Sequence, residues 1–222
     1  MARLEPRVQE IYDRRFDIEA RRAKHAIWKV IVEESLQRFV KPADTVLDVG
    51  CGFGEFLNHI RCARRIGLDL NPDSEGALGE GIEFVRGDAT DLSMIASETV
   101  DVVFTSNFME HLPGKDAVQL MINEVRRVLV PGGSFVALGP NVRVVPGAYW
   151  DYWDHLVPIS DKSLTELVET SGFRVTECHP RFLPYTTQSA LPKSPWLVKL
   201  YLKVPAVWRV LGAQFLVCAR KE

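Results

Sequence analysis

The sequence predicts an α/β fold: one doubly wound, mostly parallel sheet of seven strands with helices between them. Three observations carry that expectation. Seven short apolar runs of strand length recur along the chain, and stretches with helical spacing separate several of them. The first run passes directly into a glycine-rich turn, Thr45-Val-Leu-Asp-Val-Gly-Cys-Gly-Phe-Gly-Glu-Phe-Leu57. Buried strands alternating with helices are the pattern of a parallel sheet covered on both faces.

Taken in order, residues 6–39 read as an N-terminal helix. Ile27, Val30, Ile31, Glu34, Leu36 and Phe39 fall partly at helical spacing, and Lys41-Pro42 is a stop. Residues 45–49 read as a strand, 55–60 as a helix, and 65–70, 82–88 and 100–106 as strands. The strong periodicity of 117–129 predicts a helix ended by Pro131-Gly132-Gly133, with a strand over 133–139. A helix over 163–173 stops at Gly172, strands follow at 174–179 and 214–220, and a helical insert occupies about 188–211. The chain reads as a single domain: a helical cap over 1–41, a half carrying the glycine turn over 42–139, and a substrate-side half over 140–222.

Composition sets the class. The 222 residues are 46% hydrophobic and 25% charged, enough for a full globular core. The first 22 residues are crowded with Arg, Glu and Asp, and no apolar run approaches the roughly 20 residues that cross a bilayer. Cys51, Cys62, Cys178 and Cys218 form no Cys-x-x-Cys pair and no zinc-like spacing, so no metal and a reducing, cytoplasmic setting are expected. The net charge of −2 divides as +3 over residues 1–41, −11 over 42–170 and +6 over 171–222. An acidic centre between basic ends argues against nucleic acid and for a cationic ligand.

The glycines choose among ligands. A phosphate loop needs Lys-Ser/Thr after its last glycine, but Gly54 is followed by Glu55-Phe56. A dinucleotide turn wants Gly-x-Gly-x-x-Gly, one residue longer than Gly50-x-Gly52-x-Gly54. Asp48 and Glu55 would repel a pyrophosphate and attract an ammonium or sulfonium.

VLDVGCGFGEFL, with Asp69 in RIGLDLN, Asp88 in VRGDA, the SNFMEHL segment and PGG before a strand, resembles the class I S-adenosylmethionine-dependent methyltransferases. The resemblance covers roughly residues 45–139. It implies S-adenosylmethionine as cofactor, with Asp48, Gly50, Cys51, Gly52, Asp69, Leu70, Asp88, Ala89 and Asn107 binding it. Gly50 and Gly52 match the approach to the methionine part, Asp69 the acceptor for the ribose hydroxyls, and Asp88 with Ala89 the adenine contacts. Asn107 falls near the methionine carbons and the methyl group.

Two histidines are candidates for catalysis. His111 follows the fourth strand at the edge where open α/β sheets bind ligands, and a structural role competes there with a catalytic one. His155 closes the segment Tyr149-Trp-Asp-Tyr-Trp-Asp-His155 on the same edge. The whole segment, Asp151 and Tyr152 included, is expected to form part of the acceptor pocket, with Tyr149, Trp150, Trp153 and Asp154 as the substrate-binding candidates, since aromatic faces and carboxylates suit a hydroxylated acceptor. The expected activity is methyl transfer to a small or lipid- or glycan-linked acceptor, at oxygen. N-methylation, a non-catalytic cofactor-binding subunit and an NAD-dependent oxidoreductase are the competing readings. The apolar, basic insert 195–211 reads either as a helical lid or as a surface for peripheral membrane contact.

Overall fold

The computed structural model describes residues 18–185 and 194–222. Its elements run α1 (Ile18–Ile31), β1 (Thr45–Val49), β2 (Arg64–Asp69), β3 (Ile82–Arg86), β4 (Val100–Ser106) and α2 (Lys115–Val128). They continue with β5 (Leu129–Pro140), α3 (Asp161–Thr170), β6 (Phe173–Leu183), α4 (Pro195–Leu202), α5 (Pro205–Leu211) and β7 (Gln214–Lys221). The strands form one sheet in the order β3-β2-β1-β4-β5-β7-β6. Strands β1 to β5 pair in parallel, and β7 runs antiparallel between β5 and β6. The sheet is mostly parallel and seven-stranded, as the sequence predicts.

Two apolar clusters, one on each face, explain why it is covered twice. Successive strand residues point to opposite faces. Leu47, Val103, Phe135 and Val217 join a cluster with Val118, Ile122 and Val125 of α2 and Leu164 and Val168 of α3. Their neighbours Val46, Val102, Val136 and Leu216 face Trp28, Ile31, Val32 and Leu36 of the N-terminal segment. That segment leaves α1 through one π turn, Val32–Leu36, which buries both Val32 and Leu36.

Two expectations are corrected. Residues 55–60 form hydrogen-bonded turns and not a helix. The Asn58 side chain is engaged with Ala77 O at 3.0 Å and Gly79 N at 2.7 Å, and so few residues cannot offset the cost of nucleating a helix. The Pro131-Gly132-Gly133 sequence lies inside β5, where Gly132 takes φ +74° and the pairing with β4 shifts register at Val100/Val102. Proline is accepted in a strand at such an irregularity. The N-terminal helix is described only from Ile18, so its predicted first part lies outside the described residues, as do residues 186–193 of the insert.

The exit from β5 positions the substrate-side half. Asn141 is fully buried; its Nδ2 donates to Asp161 Oδ1 at 2.8 Å and to Pro180 O at 2.9 Å, and its Oδ1 accepts from Arg143 N at 3.2 Å. One side chain thus ties the 141–160 loop to the start of α3 and to β6. Asn141→Ala should strand these buried partners and cost about 1–3 kcal/mol. Urea melting tests this, and an unchanged midpoint would remove Asn141 from its anchoring role.

Candidate active site

The strand order reverses direction between β1 and β4, and ligands bind at such a switch point, outside the carboxyl ends of the strands. The glycine turn begins there. Gly50 and Cys51 both donate from N to Leu68 O, at 2.9 and 3.0 Å, which pins the turn to β2. Gly50 has φ +75°, and a Cβ on it would stand 2.3 Å from the Phe108 ring. At Gly52, φ +52°, a Cβ would meet only Glu55 Oε2 at 3.6 Å. Gly50 is therefore required by a close approach as well as by its dihedral, and Gly52 by its dihedral.

The two acids at the following strand ends lie next to this turn. Asp69 accepts from Gly52 N at 2.8 Å on Oδ2 and from Asn71 N at 2.9 Å on Oδ1, so each oxygen keeps a further acceptor site. Asp88 Oδ1 accepts from Thr90 N and Oγ1 at 2.9 and 2.8 Å. Gly87 N donates to Asp69 O at 3.2 Å, which sets the segments holding Asp69, Leu70, Asp88 and Ala89 side by side.

A cavity of about 390 Å³ opens beside the turn, within the usual range for small-ligand sites. Asp48, Gly50, Cys51, Gly52, Asn107, His111 and His155 all reach its wall, while Asp69, Leu70, Asp88 and Ala89 do not. Asn107 sits in the left-handed region at φ 49°, a conformation asparagine tolerates and one that clusters at functional sites. Ile27, Trp28 and Ile31 of α1 close another side, a role for which the helical spacing of these residues was the only signal in the sequence.

The wall is acidic. Asp48 is 3% exposed and its carboxylate makes no hydrogen bond or ion pair with a described residue. Burial, reinforced by the negative charges of Glu55 and Asp69, pushes its carboxyl well above the usual range. Burial raises Asp69 as well, opposed by the N–H groups of Asn71 and Gly52. Glu55 is held by Lys24 Nζ of α1 at 2.7 Å. The Cys51 thiol is pushed up by burial and by Asp48, which keeps it neutral and unreactive. A buried carboxylate without a partner, facing a cavity, asks for a cationic ligand.

Across the cavity, His111 Nδ1 lies 2.8 Å from Asp154 O and 3.4 Å from Asp154 Oδ2. Those contacts assign the proton to Nδ1 and leave the lone pair on Nε2. Nε2 lies 4.0 Å from Glu110 Oε1, a buried carboxylate that burial pushes upward. The His155 ring stacks on Tyr152 at 5.0 Å and meets His111 edge-on at 4.9 Å. Glu110, His111 and His155 each bring a ligating atom within 4.8 Å of the others, a set able to share protons or to coordinate a metal ion.

The aromatic segment divides. Tyr152 and His155 reach the cavity. Tyr149 is fully buried, its hydroxyl donating to Val157 O and accepting from Ile159 N, so it anchors the loop. Trp150 and Trp153 are 52% and 77% exposed and lie off the cavity wall. Asp154 lies against His111 Nδ1. Of the expected acceptor segment, Tyr152 and His155 thus line the cavity. Sequence reasoning passed over Glu110, whose signal was a carboxylate between Met109 and His111 immediately after a strand.

Asp48→Asn tests the acidic wall. The native carboxyl binds protons more tightly than the unfolded one, so this group makes stability fall as pH rises from about 4 through the higher folded value. The variant should melt higher at neutral pH, by roughly 2–4 °C per kcal/mol relieved, and its melting should depend less on pH. A lower melting temperature at neutral pH would show that the carboxylate is compensated inside the protein.

Known proteins resemble the chain over the same region. A family profile described as a methyltransferase domain matches residues 47–137. A Mycolicibacterium smegmatis protein described as a probable S-adenosylmethionine-dependent methyltransferase is 31% identical over 185 residues, covering 73% of this chain and 70% of its own. A fatty-acid O-methyltransferase from the same organism is 37% identical over 100 residues, covering 41% of this chain and 35% of its own. That alignment, like those with two fungal methyltransferases at 39% each, spans well under half of the relative's length. The crystal structure of an Archaeoglobus fulgidus SAM-dependent methyltransferase superposes with TM-score 0.64 at 22% identity, covering 87% of this chain and 92% of that one, a likeness of fold. With a relative matched across most of both chains and the glycine turn and acids in their places, the chain belongs to the class I S-adenosylmethionine-dependent methyltransferases.

Proposed function

We propose that the chain methylates a hydroxyl on a lipid- or glycan-linked acceptor. The observation that carries this reading is His111, which lines the same cavity as Asp48 and whose Nδ1 is engaged by Asp154, leaving Nε2 to accept a proton. The residues fit S-adenosylmethionine: the acidic wall suits its ammonium and sulfonium, Asp69 its ribose hydroxyls, Asp88 and Ala89 its adenine, and Gly50, Cys51, Gly52 and Asn107 its methionine part. When bound, the cofactor supplies a methyl carbon activated by the attached sulfonium.

The chain's own residues do the rest. His111 Nε2 takes the proton of the attacking hydroxyl, and Asp154 keeps Nδ1–H donated and the ring in place. The Glu110 carboxylate stabilises the imidazolium that forms. Tyr152 and His155 supply flat faces against which an acceptor packs. Relatives named for fatty-acid, demethylmenaquinone and sterol methylation support an acceptor with lipid character. An amine is the second reading, favoured by the same acidic wall. All four cysteines are free thiols, which supports a cytoplasmic workplace.

His111→Ala should lower methyl transfer by about 10²–10⁴-fold while leaving S-adenosylhomocysteine binding near wild type. Labelled S-adenosylmethionine offered with hydroxylated lipids and glycans should yield an alkali-stable methyl ether. Label in an alkali-labile ester or in a methylamine would overturn the hydroxyl assignment. Chelation should leave turnover intact; a loss reversed by added divalent metal would turn the Glu110–His111–His155 cluster into a metal site.

A further inference from the structure

We propose that the outer face of α4 and α5 docks on the surface of an anionic phospholipid bilayer. The two helices are tied down from within. Tyr201 OH donates to Phe182 O at 2.7 Å, Trp208 Nε1 donates to Tyr201 O at 3.0 Å, and Leu202 is buried in the core that also holds Trp28 of α1. Lys199 is paired with Glu34, which locks α4 to the segment following α1. No helix among the described residues is long and apolar enough to cross a membrane.

What remains outside is apolar. Trp196 is 67% exposed, Leu200 48% and Val210 74%, with Val204 and Leu211 exposed beside them. Monomeric proteins rarely gather so much exposed apolar area in so short a stretch without a partner for it.

Charge selects the partner. Lys203 follows Leu200 at the end of α4 and Arg209 adjoins Val210, all four exposed, so basic and apolar side chains share the outer face, whereas the charge of Lys199 is already answered by Glu34. From Cys178 to Lys221 the sequence contains no Asp or Glu and seven Lys or Arg. An outer face that is apolar and cationic, on helices too short to span, matches the interfacial helices that lie on anionic lipid. Because α4 packs on α1 and α1 closes the cavity, docking this face brings the cavity beside the membrane. The proposal stands apart from the acceptor chemistry above, since a docked enzyme and its reaction are measured separately.

The probe is the full chain sedimented with vesicles of phosphatidylcholine, with and without phosphatidylglycerol. It should pellet with the anionic vesicles at ~0.1 M salt and be released at ~1 M, where screening reaches only about 3 Å. Trp196→Glu with Val210→Glu should weaken partitioning at least about tenfold, without changing the circular dichroism, melting temperature or S-adenosylhomocysteine binding. Lys203→Glu with Arg209→Glu should abolish the preference for anionic vesicles. Wild-type protein remaining in the supernatant at low salt would overturn the proposal. So would glutamate variants that bind as wild type does, or a wild-type dimer that Trp196→Glu with Val210→Glu dissolves, which would give this face to a second copy of the chain.

Discussion

A buried carboxylate with no partner among the described residues is the constraint around which this molecule is arranged. Asp48 lies on β1, a central strand paired with β2 and β4, where burial withdraws it from water. Placing Glu55 and Asp69 around it makes the charged form more costly still. Such an arrangement is poor for the stability of the ligand-free protein. A bound cation would compensate it, and next to a buried carboxylate such a charge is worth more than it would be in water.

The remainder of the site holds that pocket open and gives it direction. Parallel strands place the carboxyl ends of β1, β2, β3 and β4 on one edge, and hydrogen bonds lock those ends together. Thr105 Oγ1 donates to Val49 O at 2.8 Å, and Asn107 N donates to Leu138 O at 2.9 Å. The glycine turn presses against Phe108, so β1 and the segment after β4 are mutually fitted. On the far side, Asn141 and Asp161 fix the long loop that delivers Asp154 and His155 to His111. One wall of the cavity is built from strand ends and the other from loop residues, a rigid scaffold beside a more variable side.

The fold of the half that carries the glycine turn was largely legible in the sequence, because its signals are local. Glycines directly after a strand, and acids at two later strand ends, depend on short spacing and on backbone dihedrals that few residues adopt. The strands were legible for the same reason, through their apolar runs. The turn at 55–60 was not, since Asn58 bonds to backbone groups some twenty residues away. The acceptor side was only half legible. Tyr149, Trp150 and Trp153 share one composition, yet burial places the first in the core and leaves the others in solvent. Which of several neighbouring aromatics faces a cavity depends on loop geometry that only the folded anchors at Asn141 and Ile159 determine. Glu110 and α1 enter the site from elements whose approach no local pattern encodes.

The central claim is that the buried Asp48 carboxyl in the glycine-turn wall, with no partner among the described residues, recognises the cationic cofactor. Proton linkage measures it most directly: calorimetric titration of S-adenosylhomocysteine, whose ammonium persists without the sulfonium, in buffers of different ionisation enthalpy at mildly acidic pH. Binding should release protons from the wall, because the ligand's positive charge favours the ionised carboxylates, and Asp48→Asn should remove most of that release. Tight binding with no buffer dependence in the wild type would contradict the account, since the acids would then be ionised and compensated before the ligand arrives.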